Sequence, residues 1–341
     1  MDAVVQAAIQ RRQAAITAFL SIESIKQTDK EKRLGLLSFA VPVKGDTEIF
    51  VVGCGSNVVI IKWDSYTNID FPPYYVLNSP HRPDDPLPLG NRLGYGSVDY
   101  AKRLYFATTY DHPDNHARNL GSVYSLDTNG ILEKKMWNLG SVTGGFVWDL
   151  ARRRNFFSLR EHRSAKFYYA DTLNNYILGY DFSTNNGDLD RREELFEFLH
   201  HQENSAPGRM AIDNRGWLWV PLLGRHRVIE LNPFDETAHR VIHIPAVNVG
   251  GCTFGGPNWD ILYVSTIGYK HNYERPPGDE GGHIFAIYGL QVKGVPTREY
   301  SLSSVVLGQA SIELGEITSL LTRGERNSRI RRYRGRGSSH A

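Results

Sequence analysis

Phe167-Tyr168-Tyr169-Ala170-Asp171 and Tyr176-Ile177-Leu178-Gly179-Tyr180-Asp181-Phe182 are two aromatic and aliphatic runs joined by a short polar loop. Aromatic and β-branched residues suit a pleated, half-buried surface, and short runs bounded by Asp and Asn read as the strands of a hairpin. The same unit occurs upstream as Glu48–Val52 with Val58–Asp64 and as Leu104–Thr109 with Ser122–Asp127. Downstream it recurs as Trp217–Pro221 with Arg227–Pro233 and as Ile261–Thr266 with His283–Tyr288. The five copies begin at residues 48, 104, 167, 217 and 261, with steps of 44 to 63 residues. Self-similarity at such a period marks a repeat architecture. A four-stranded sheet fits the spacing, each sheet covered on both faces by its neighbours, as in a β-propeller. Alternating βα units would need amphipathic stretches between the strands. Only Leu189–His201 offers one, and its acids with Phe196 and Phe198 fit a strand nearly as well. The expected fold class is all-β.

The composition agrees with this reading. The 15 Phe, 18 Tyr and 6 Trp supply strand formers, while 32 Gly and 16 Pro supply tight turns. With 22% charged and 41% hydrophobic residues, the bulk of the 341-residue chain is expected to fold. No apolar stretch is long enough for a transmembrane helix. Cys54 and Cys252 cannot build a disulfide scaffold or a four-cysteine zinc site, and both read as buried thiols.

The formal net charge of +2 is unevenly divided. Residues 323–341 contain seven arginines and one acid, Glu325, so this tail carries +6 and residues 1–322 carry −4. With Gly and Ser between the arginines and few apolar residues, residues 315–341 are expected to be a disordered basic arm. Such an arm attracts an acidic partner or nucleic acid. At the other end, Val4, Val5, Ala8, Ile9, Ile16, Phe19 and Leu20 recur at roughly helical spacing, which predicts an amphipathic helix within residues 1–33. Asp2 and the late basic pair Arg11-Arg12 do not suit a secretory signal, so a cytoplasmic location is the default expectation.

Further segments carry a resemblance. Pro207-Gly208-Arg209-Met210-Ala211-Ile212-Asp213-Asn214-Arg215-Gly216 leads to Leu218-Trp219-Val220. Phe254-Gly255-Gly256-Pro257-Asn258 is followed by Leu262-Tyr263-Val264, then by Gly281-Gly282-His283-Ile284-Phe285 and Gly289-Leu290-Gln291-Val292-Lys293-Gly294. Together with Tyr168–Asp181, and in this order, they resemble the SMP-30/gluconolactonase/regucalcin family, which includes luciferin-regenerating enzymes. The resemblance runs from about Leu36 to Tyr300. It implies a six-bladed β-propeller over residues 34–314, with the first blade incomplete or replaced by the N-terminal helix, or completed by Val305–Leu314.

The resemblance also implies a chemistry. In the family a divalent cation on the propeller axis polarises a lactone or ester carbonyl and activates water. If this chain were active it would need Ca, Mg, Mn or Zn. The family's ligands are a Glu, an Asn and an Asp. The Asn position matches Gly144, in Val142-Thr143-Gly144-Gly145-Phe146-Val147-Trp148, and the Asp position matches Gly208, beside Arg209. The Glu segment has no counterpart in residues 1–33. Glycine has no side chain with which to coordinate, and a guanidinium repels a cation, so no cofactor is expected and the family activity is expected to be impaired. The family's Asn-Arg-x-Asn-Asp-Gly segment matches Asn91-Arg92-Leu93-Gly94-Tyr95-Gly96, where Arg92 survives. Arg92 and Arg209 are therefore the expected contacts for a small anionic ligand in an axial pocket.

Rival signals read as structure. Gly53-Cys54-Gly55-Ser56-Asn57 resembles a dinucleotide loop, but the run after it is a strand, so a β-turn is expected. His112 and His116 lie in a Pro-interrupted polar loop. His201 and Glu203 precede the Pro207 segment and are candidate substitute metal ligands, which would restore a lactonase or esterase. Asp171 and Asp213 read as turn and strand-end acceptors.

Overall fold

A computed structural model describes residues 37–63, 74–81, 91–110, 119–140, 143–150, 165–198, 205–269 and 274–315. The first sheet holds β1 (Leu37–Pro42), β2 (Ile49–Cys54), β3 (Asn57–Lys62) and β4 (Tyr74–Asn78). The second holds β5 (Asn91–Val98), β6 (Leu104–Tyr110), β7 (Gly121–Leu126) and β8 (Leu132–Leu139). The third holds β9 (Thr143–Asp149), β10 (Ala165–Asp171), β11 (Tyr176–Phe182) and β12 (Leu189–Glu197). In the fourth, β13 (Ala206–Pro207) and β14 (Ala211–Ile212) both pair with β15 (Leu218–Leu223), followed by β16 (Arg227–Asn232) and β17 (Thr237–His243). The fifth has three strands, β18 (Val249–Gly255), β19 (Ile261–Thr266) and β20 (Ile284–Ile287).

Each sheet is an antiparallel meander, and each hairpin unit of the sequence becomes two neighbouring strands of one sheet: β2–β3, β6–β7, β10–β11, β15–β16 and β19–β20. The leading strands β1, β5, β9, β14 and β18 contact one another in succession. The sheets are thus blades arranged around an axis, and the core is divided into layers between them. Phe39, Val51, Ile60, Leu104 and Phe106 fill the first layer, and Tyr105, Phe146, Trp148, Phe167 and Tyr169 the second. Tyr168, Phe198, Leu218 and Ile229 fill the third, and Trp219, Val228, Phe254 and Leu262 the fourth. A strand between two layers is apolar on both faces, which is why β6, β10 and β15 read as nearly continuous apolar runs.

The structure corrects the blade count. Among the described residues there are five blades, not the six implied by the family resemblance. After β20 the chain turns at Gly289, whose φ of 76° is left-handed, and the segment 289–303 runs across the blades instead of building another sheet. Val295 N donates to Ile212 O, Asn214 N to Lys293 O, and Arg240 Nη1 to Leu290 O. Further on, Tyr300 N donates to Pro42 O and Lys44 N to Tyr300 O, while Ser301 N reaches Lys102 O and Ser303 N reaches Thr128 O. This strap therefore ties the fifth and fourth blades to the second and first.

The strap leads into α1, residues 304–315, whose Leu307, Ala310 and Leu314 pack on the first core layer. Val305–Leu314 is thus helix, not a closing strand, because its apolar residues recur at i, i+3 and i+7 and bury one face. The helix expected within residues 1–33 and the basic arm from 316 onward lie outside the described residues. β12 settles Leu189–His201 as strand as far as Glu197. Gly53–Asn57 holds the two-residue hairpin turn, Gly55-Ser56, between β2 and β3, with Gly55 at φ 57°.

Tyr300 anchors the strap: its ring is fully buried in the first core layer and its hydroxyl donates to Asp127 O. Tyr300→Ala should lower unfolding free energy by about 3–5 kcal/mol, while Val305→Ala on the exposed face of α1 should stay within about 0.5 kcal/mol. Urea titration of both variants checks this; equal effects would mean the strap contributes little.

Candidate functional site

Arg92, Gly144 and Gly208 all lie near the starts of the leading strands, at the end of the axis away from the strap's contacts with Pro42 and Ile212. The fourth blade's leading strand is broken there. Gly208 N still donates to Pro221 O of β15, but Arg209 N turns away to Gly250 O (3.0 Å) of the fifth blade. Cys252 N returns a bond to Arg209 O at 2.8 Å, so the two blades share a parallel backbone bridge at the axis. On the other side Thr172 Oγ1 donates to Pro207 O at 2.7 Å, drawing the third blade in.

This closeness explains the glycines. A Cβ on Gly208 would stand 2.5 Å from Gly250 O, and one on Gly144 would stand 2.7 Å from both Pro207 O and Gly208 O. Both positions are therefore occupied by glycine because neighbouring backbones fill the space where a side chain would begin.

Tyr95 projects toward these strands. Its ring meets Phe146 edge-on at 4.9 Å, and a Cβ on Gly145 would lie 3.3 Å from it. The Arg209 guanidinium sits 5.8 Å from the ring centroid and donates from Nη2 to Gly94 O at 3.0 Å. Burial pushes the Tyr95 phenol up, while Arg209 and a hydrogen bond with Ser97 pull it down. The Arg209 side chain is exposed yet ringed by protein, which withdraws water and lowers its pKa; Arg92 adds repulsion and Tyr95 opposes it. A guanidinium stays charged under such shifts. Among the described residues the contacts of the Arg209 guanidinium are Gly94 O and the Tyr95 ring, and no carboxylate acts on it. Arg92 is half-buried, with Nη1 donating to Leu93 O at 3.2 Å. The structure thus brings Arg92 and Arg209 into electrostatic reach of each other at one end of the axis.

His201 and Glu203 lie outside the described residues, as do His112 and His116. Among the described residues no group of three or more His, Cys, Asp or Glu could hold a metal ion. Cys252 stands at the axis, but its thiol donates to Trp219 O at 3.1 Å and burial pushes it up to about 12; burial alone takes Cys54 to about 11. Neither is a thiolate nucleophile at neutral pH. Asp171 accepts from Gly140 N and from Asn174, and Asp213 accepts from the backbone of Arg215 and Trp217 and from the Trp219 indole. Both are the structural acceptors expected. Sequence reasoning missed the roles of Tyr95 and of Gly250-Gly251; two adjacent glycines opening a strand are a usable signal of close backbone approach.

Residues 13–268 match the family model for the SMP-30/Gluconolactonase/LRE-like region. The chain belongs to this family. Regucalcin of Macaca fascicularis is 31% identical over 216 residues, covering 62% of this chain and 67% of the relative. YvrE of Bacillus subtilis (strain 168), named a candidate sugar lactone lactonase, is 33% identical over 189 residues, covering 54% of this chain and 59% of that one. A luciferin-regenerating enzyme structure superposes with a TM-score of 0.65 at 24% identity, over 79% of this chain and 82% of its own, which shows the shared propeller fold. No helix among the described residues is long and apolar enough to cross a membrane.

A hard divalent cation takes about six to eight oxygen ligands, several of them carboxylate. Gly144 and Gly208 offer no side-chain oxygen and no room for one, and Arg209 sets a positive charge beside them. The described residues do not fit the family's axial cation. Gly208→Ala should cost about 1–3 kcal/mol through overpacking against Gly250 O. A variant as stable as wild type in a thermal melt would show that the two blades are not held this closely. Alkylation at pH 8 should likewise spare Cys54 and Cys252 in the native protein and reach both in urea.

Proposed function

We propose that this chain is a catalytically impaired member of the family that binds a small anion through Arg92 and Arg209. One observation carries the reading: the positions matched to the family's metal ligands are closed by backbone, and a guanidinium without a described carboxylate partner stands beside them. An axis that repels cations attracts anions, and two guanidiniums recognise carboxylate or phosphate through paired N–H donors. Tyr95, whose ring packs edge-on against the buried Phe146, gives the same place an apolar wall, which suits an organic acid. The sugar-lactone chemistry in the name of the Bacillus subtilis relative suggests its hydrolysis product, a sugar acid, as the first probe.

The second reading is a metal-dependent lactonase or esterase whose ligands come from outside the described residues, with His201 and Glu203 as candidates. The 33% identity to the candidate lactonase favours it. The arginine-rich tail is a separate element, suited to an acidic partner or nucleic acid.

Calorimetric titration separates the first two readings. Gluconate should bind, and Arg92→Met and Arg209→Met should each weaken it about tenfold or more, the size of a lost charge-assisted hydrogen bond. Ca²⁺, Mn²⁺ and Zn²⁺ should give no stoichiometric binding, and gluconolactone should not be turned over. Micromolar binding of one cation together with turnover would establish the lactonase reading instead.

A further inference from the structure

Two neighbouring carbonyls hold the two guanidiniums of the axis. In β5, Leu93 pairs with Thr108 and Tyr95 with Ala107, so the register shifts by one residue and Gly94 forms a β-bulge. Arg92 Nη1 donates to Leu93 O at 3.2 Å, and Arg209 Nη2 comes across from the fourth blade to Gly94 O at 3.0 Å. Leu93 and Gly94 are consecutive, with Cα atoms about 3.8 Å apart, so the two bonding nitrogens lie within roughly 12 Å of each other.

These backbone bonds do not exhaust either group. A guanidinium carries five N–H donors in a planar fork that matches one carboxylate. Arg209 is exposed although protein surrounds it, so it stands in a concave place that solvent reaches. Two like charges held this close repel, and Arg92 is among the causes that lower the Arg209 pKa. A ligand with one carboxylate has to divide it between the two guanidiniums. A ligand with two gives each its own and removes the repulsion.

We infer that the anion bound at this axis is a small dicarboxylate, with one carboxylate on Arg209 and the other on Arg92, so that Arg92 selects diacids over monoacids. This rests on the anion-binding reading proposed above. The anchors also set a length. A six-carbon diacid has about 6 Å between its end carbons and adds a hydrogen bond of about 3 Å at each end, so it reaches across a gap of this size. Separate carbonyls keep the guanidiniums apart, which favours two spaced carboxylates over one compact dianion such as phosphate.

Calorimetric titration of the full chain with gluconate, glucarate and inorganic phosphate tests this. Gluconate and glucarate share one six-carbon polyol skeleton and differ by the second carboxylate. Glucarate should bind about tenfold or more tighter than gluconate, and phosphate more weakly than glucarate. Arg92→Met should remove the preference, leaving the two sugar acids within about twofold of each other, while Arg92→Lys, which keeps the charge, should retain part of it. Gluconate bound as tightly as glucarate by the wild type overturns the inference and leaves the anion-binding reading standing. So does phosphate bound more tightly than glucarate, or a preference for glucarate that survives Arg92→Met. Binding of none of the three overturns both.

Discussion

Two backbone hydrogen bonds at the axis, Arg209 N to Gly250 O and Cys252 N to Arg209 O, set the geometry on which the rest of this molecule depends. They join the leading strands of the fourth and fifth blades directly, where a more open ring would hold side chains between them. To reach the fifth blade, Arg209 must leave β15, so the fourth blade's leading strand splits into β13 and β14. Gly208 must be glycine because Gly250 O occupies the space of its Cβ, and Gly144 must be glycine because Pro207 O and Gly208 O do the same. The glycines at the positions matched to the family's ligands and the close blade contact therefore go together. Restoring an acid at Gly208 would first have to push the fourth and fifth blades apart.

The same contact places charge. With its backbone held by the fifth blade, Arg209 extends over the Tyr95 ring and bonds Gly94 O of the second blade. Residues of the second, third, fourth and fifth blades thus converge around one tyrosine and one guanidinium. At the opposite end of the leading strands the strap binds the fifth and fourth blades to the second and first through backbone bonds, and through the buried Tyr300. Among the described residues that diversion leaves the fifth blade with three strands, β18 to β20.

Much of the fold was legible because strands between two core layers must be apolar on both faces and must end in turns. That constraint made five hairpin units visible, and five is the number of blades described. The count of six came from the resemblance alone, and it failed because the chain after β20 becomes strap and helix. Val305–Leu314 misled as a strand because short apolar runs do not declare their period until their burial is known. At the site, Gly144 and Gly208 were expected as positions matched to the family's ligands; their close packing was not legible, since it depends on Gly250 in another repeat. Tyr95 read as a substitution and proved to be the residue around which the axis packs. Asp171, Asp213 and both cysteines were read correctly because turn acceptors and apolar-strand thiols are local features.

The proposed anion binding requires an axis that presents positive charge where the family resemblance implies a bound cation. The most direct measurement is anomalous diffraction from a pair of crystals, one soaked in manganese and the other in bromide. A bromide peak beside the Arg209 and Arg92 guanidiniums, and no manganese peak on the axis, is the expected result. A manganese peak ligated near Gly144 and Gly208, with no bromide at the arginines, would contradict it.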